Sequence, residues 1–106
     1  MENFREIIWT KRAVNDLRNA YDFNSEIYGE EKSFAIVQKI ISKVELLKDE
    51  RFEEIGLIDE DFQHLKDEYR KINVGYLKVN YRVGFDNNRL YINRIFDTRR
   101  NPKKNK

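Results

Sequence analysis

A chain of 106 residues without cysteine has room for one modest hydrophobic core and none for a disulfide, a thiolate metal site or a cysteine nucleophile. Its formal net charge of +2 hides a division: Lys66 to Lys106 holds 12 Lys and Arg against 4 Asp and Glu, whereas Met1 to Leu65 holds 9 against 15. A cationic half backed by an acidic half points to a polyanion or an acidic partner taken on one side.

The opening residues, Met1 to Trp9, carry charges and lack the long apolar stretch of a secretory signal or membrane span, so a soluble, cytoplasmic protein with no membrane partner is expected. Phe4 to Trp9, rich in Ile and aromatic residues, predicts a short strand, and Thr10 is a favourable N-cap for a helix starting there. Ala13, Val14, Leu17, Ala20, Tyr21 and Ile27 recur at helical spacing until Gly29 interrupts them. A second stripe, Phe34, Val37, Ile40, Ile41, Val44 and Leu47, runs to about Asp49, which predicts an antiparallel helical hairpin joined at the glycine. Asp49 to Asp61 holds seven acidic residues and one arginine, and reads as an irregular, solvated connection. The fixed ligand spacing of a calcium loop is missing from it.

Next come three strands: Tyr69 to Val74, Leu77 to Val83 and Arg89 to Phe96, the last two joined by a turn at Asp86-Asn87-Asn88. The basic residues 101–106 read as a frayed tail. The whole is expected to be one α+β domain, 1–106, with an N-terminal strand, a helical hairpin and an antiparallel three-stranded meander, the helices covering one sheet face. Alternation sets Leu77, Val79, Tyr81 and Val83 toward the helices and Lys78, Asn80 and Arg82 away from them. A turn centred on Asp86-Asn87 sets Val83 opposite Leu90, Tyr81 opposite Ile92, Arg82 opposite Tyr91 and Asn80 opposite Asn93. With Lys71 and Asn73 added, the far face reads as an open surface of cations, amides and tyrosines, without a carboxylate among its strand positions.

The element order, with Trp9-Thr10, Ala13 and Asp16-Leu17 at the first helix, resembles the RelE/ParE superfamily of bacterial type II toxins. So do Tyr69-Arg70-Lys71 with Gly75 after them, Val79 to Val83, and the run Arg94 to Pro102. The resemblance implies a growth-inhibiting toxin held by a cognate antitoxin, with no cofactor or metal, and two mechanisms stand open within it. RelE-like members cut mRNA in the ribosome, and ParE-like members inhibit DNA gyrase without being enzymes. A degenerate toxin that only binds nucleic acid or antitoxin is a third reading.

RNA cleavage without a metal needs a base, an acid and cations aimed at the phosphate. Arg82, Lys78 and Arg99 are the candidate phosphate contacts, while Tyr91 and His64, the only histidine, are the candidate proton carriers. Arg70, Lys71, Arg94, Arg100, Lys103 and Lys104 are candidates for RNA or partner binding. RelE-like enzymes also tend to carry a tyrosine in a C-terminal segment, and this chain has none after Tyr91. The nuclease is slightly favoured here, because the far face is rich in hydrogen-bonding cations and tyrosines. Acidic groups of an antitoxin are expected to pair with Arg82 and Arg99.

Overall fold

A computed structural model describes residues 5–48, 57–62, 64, 68–84 and 89–99. Strand β1 (Glu6–Trp9) leads into helix α1 (Lys11–Tyr28), which Gly29 separates from helix α2 (Glu30–Leu46). Then come β2 (Leu57–Ile58), a 3-10 turn (Glu60–Phe62), β3 (Tyr69–Val74), β4 (Leu77–Val83) and β5 (Arg89–Asp97). The strands form one sheet in the order β1-β5-β4-β3-β2, parallel between β1 and β5 and antiparallel elsewhere. The expected strand, hairpin and meander are all present, and β2 is an addition to them.

Thr10 shows how sequence places the first helix. Its Oγ1 accepts from the Ala13 N–H at 3.2 Å, capping α1, and donates to the Ile92 carbonyl at 2.8 Å, so one hydroxyl fixes the helix start to β5. Further along α1, Asp16 accepts from the Ile95 N–H at 2.9 Å, satisfying the β5 edge beyond the end of β1. Gly29, at φ 92°, lets the chain reverse between the helices in a conformation that side-chain-bearing residues rarely adopt. The hairpin closes tightly where Ser33, fully buried, donates to the Tyr21 carbonyl at 2.6 Å.

Ala13, Ala20, Ile40, Val44 and Leu47 meet Ile72, Val79, Tyr81, Leu90, Ile92 and Ile95 in the main core. The buried line of α2 runs through Ser33, Ile40 and Val44, so Phe34 and Ile41, expected inside, stand 54% and 41% exposed. On α1, Val14 and Ile27 are likewise exposed, because a two-helix layer buries less than the full apolar width of each helix.

Register agrees with alternation as far as Tyr81 opposite Ile92, Arg82 opposite Tyr91 and Val83 opposite Leu90. Asn80 then pairs with Arg94 instead of Asn93. Asn93 is an extra residue in β5, a β-bulge, and beyond it the strand's side chains exchange faces: Ile95 joins the helix-side core while Phe96 turns to the far side. The acidic connection also departs from expectation, since 57–62 is ordered strand and turn with Asp59 at 1% exposure. The predicted turn at 86–88, the tail 101–106 and residues 49–56 lie outside the described residues.

Candidate functional site

The far face of the sheet is not open along its whole length. β2 pairs with Arg70 and Lys71 of β3, and the Asp59 N–H donates to the Tyr69 carbonyl at 2.9 Å, which lays the 57–62 segment against the sheet as a strap. Lys78 Nζ lies 3.2 Å from Asp59 Oδ2 and 3.0 Å from Asp61 Oδ2, with the rings of Phe62 and Phe96 at 5.7 and 5.1 Å. Asn80 Nδ2 donates to Asp59 Oδ2 at 2.8 Å and Asn93 Nδ2 donates to Asn80 Oδ1 at 2.7 Å. Lys78 is 4% exposed and Asn80 fully buried. The expectation of Lys78 as a cation on an open face is therefore overturned: its charge is compensated inside the fold, as a buried ammonium requires.

Away from the strap, a half-buried row remains partly accessible. Cross-strand register aligns Ile8, Tyr91, Arg82 and Tyr69 across four strands on the far side. The Arg82 guanidinium lies 4.3 Å from the Tyr91 ring centroid. It has no carboxylate partner among the described residues, and neither has Lys71, half-buried on the same side of β3. Arg89, exposed near the end of the row, is bridged to Glu6 at 3.4 Å; hydrogen bonding to Tyr91 first, then Glu6, raises its pKa.

Arg99 is on the other side of the molecule. The Asn93 bulge turns Asp97 toward the helices, and Arg99 goes with it. Its guanidinium donates to Asp97 Oδ2 at 2.9 Å, Asn24 Oδ1 at 3.0 Å and Tyr28 Oη at 2.9 Å, and lies 4.5 Å from the Tyr76 ring. Hydrogen bonding to Asp97 raises its pKa against the opposing effect of burial. Arg99 borders a groove of about 430 Å³ between α2 and the β3–β4 hairpin, floored by Ile36, Val74 and Leu77, walled by Tyr76 and rimmed by Lys32 and Lys39. Gly75, at φ 60°, sets the turn that projects Tyr76, 60% exposed.

Of the other predicted residues, Arg94 wraps the β5 edge to Asp16 at 2.7 Å and stacks 4.9 Å from Phe96. Arg70 turns to the helix side of the sheet and pairs with Glu68 at 2.8 Å. His64 is exposed in a turn. Arg100, Lys103 and Lys104 lie outside the described residues. The proposed catalytic set is thus dispersed: Arg82 and Tyr91 come together, Lys78 is sealed beneath the strap, and Arg99 is behind the sheet. Among the described residues no three His, Asp or Glu side chains gather to hold a metal.

Sequence reasoning missed Asp59, Phe62 and the groove residues Tyr28 and Tyr76. Only the apolar Leu57-Ile58 and Phe62 inside an acidic run hinted at the strap.

A five-stranded sheet with a helical hairpin on one face, and the ordering of its motifs, define a type II toxin of the ParE/RelE superfamily. Residues 7–102 match the family described as the ParE toxin of the type II toxin-antitoxin system parDE, and the chain belongs to that family. Among solved structures, a chain from the chromosomal ParDE toxin-antitoxin system of P. aeruginosa aligns with a TM-score of 0.72 at 23% identity, covering 90% of this chain and 97% of that one. A chain of the RelBE2 toxin-antitoxin complex of Mycobacterium tuberculosis aligns with a TM-score of 0.53 at 14% identity, covering 89% and 91%. No curated protein matches the sequence.

Among the described residues no helix is long and apolar enough to cross a membrane.

Proposed function

We propose that the protein is a ParE-like toxin that arrests growth by binding DNA gyrase, with no RNA cleavage of its own, and that a cognate antitoxin holds it inactive. The observation that carries this over the nuclease reading is the fate of the cations. Lys78 is 3.0 to 3.2 Å from two carboxylates and buried, and Arg99 is on the opposite side of the sheet from Arg82. Scission of a phosphodiester needs an acid, a base and charge-stabilising groups within hydrogen-bond reach of one phosphate. Arg82 and Tyr91 alone supply at most two of those parts. The ParE family match supports the same choice.

The groove beside Arg99 suits the antitoxin. An amphipathic segment can seat apolar side chains on Ile36, Val74 and Leu77 while its acidic residues meet Lys32, Lys39 and Arg99. Two assays run side by side test the mechanism: supercoiling by purified gyrase and primer extension on ribosome-bound mRNA, each with added toxin. Loss of supercoiling with intact mRNA is expected. New RNA ends that vanish in Arg82→Ala, with supercoiling untouched, would return the protein to the nuclease class.

A further inference from the structure

The far-face row is not used by the groove, yet its composition is that of an interaction centre. Ile8, Tyr91, Arg82 and Tyr69 span four strands, roughly 14 Å at the ordinary strand spacing. Arginine and tyrosine are the residues most enriched where protein interfaces concentrate their binding energy. Every other described arginine in β3 to β5 and the turn after it, Arg70, Arg89, Arg94 and Arg99, is bridged to a carboxylate of this chain. Arg82 is the exception: its guanidinium carbon lies 4.3 Å from the Tyr91 centroid and no carboxylate among the described residues meets its N–H donors, which suits it to a bidentate acceptor.

We propose that this row is a second docking surface, separate from the antitoxin groove, on which a carboxylate of the toxin's protein target seats over Arg82 between the two tyrosines. The proposal rests on the toxin reading but not on gyrase being the target. Charge distribution selects a protein carboxylate over a nucleic acid. Only Arg82 and Lys71 are unpaired there among the described residues, whereas nucleic-acid affinity grows with the number of phosphates neutralised. With Arg89 bridged to Glu6, Lys78 held by Asp59 and Asp61, and Glu60 exposed on the strap, no net positive field surrounds Arg82 to hold a continuous polyanion, while one inserted acidic side chain is tolerated. The tyrosine rings are also engaged, Tyr91 by Arg82 and Tyr69 by Phe62 at 5.2 Å, which leaves poor platforms for base stacking.

The test compares wild type with Arg82→Gln and Arg82→Glu in three readouts. These are growth arrest on induction, co-purification with the co-expressed cognate antitoxin, and titration of a fluorescein-labelled single-stranded RNA 20-mer at 0.15 M salt. Loss of one central arginine at an interface weakens binding by about 30-fold. Both variants are therefore expected to lose arrest, keep antitoxin capture and leave the RNA unbound. Undiminished arrest in Arg82→Glu overturns the proposal. So does loss of antitoxin capture by a variant whose circular dichroism is native, because the row then belongs to the antitoxin. Micromolar RNA binding that Arg82→Glu abolishes overturns it in favour of nucleic acid. Arrest by wild type with gyrase supercoiling unaffected removes gyrase as the target and leaves the row standing, and absence of arrest by wild type removes both readings.

Discussion

The two faces of this sheet are covered by different physics. On the helix side, Leu90, Ile92, Val79 and Tyr81 meet Ala13, Ile40 and Val44, and burial is driven by removing apolar area from water. On the strap side, burial centres on an ammonium, two carboxylates and two amides, with Phe62 and Phe96 packed around them. The first kind of contact tolerates inexact partners. The second holds only while every member is present, since a buried charge left without its counterpart is costly.

Removing one partner from the charged side breaks this contrast most severely. Asp59→Ala takes from buried Lys78 the fully buried carboxylate 3.2 Å away, and is expected to destabilise the protein by ~3–5 kcal/mol in urea denaturation. The double variant Asp59→Leu with Lys78→Met should recover most of that loss. A cost under about 1 kcal/mol for the single change means that Lys78 reaches water and the strap is only loosely seated. On the helix side, Leu90→Ala at a fully buried site is expected to cost about 3 kcal/mol from lost transfer energy and a residual cavity. Arg82→Ala, in the open row, is expected to shift stability by less than about 0.5 kcal/mol. A large loss there would place Arg82 among the structural cations.

The helical hairpin and the strands were legible because their apolar residues repeat at the periods of helix and strand, and Thr10 and Gly29 mark the boundaries by capping and positive φ. The pairing of Arg82 with Tyr91 was legible for the same reason. The bulge at Asn93 was not, because no glycine or proline marks it. Strict alternation from Tyr91 carries Arg99 to the same face as Arg82, and the one extra residue sends it to the helix side. Nor was the strap legible. An acidic run favours solvent unless a cation distant in sequence meets it, and Lys78 is 17 and 19 residues from its two partners. Local periodicity carries no information about such a meeting.

Beyond the last residue of β1, Trp9, strand β5 runs on to Asp97, and Asp16 of the helix layer, bridged to Arg94, finishes its margin. An unfinished strand margin is a template for a neighbouring molecule. Here the Ile95 amide is already spoken for, so a second copy finds no foothold on that stretch, and fibre-like self-association through the longest strand is discouraged before any partner arrives.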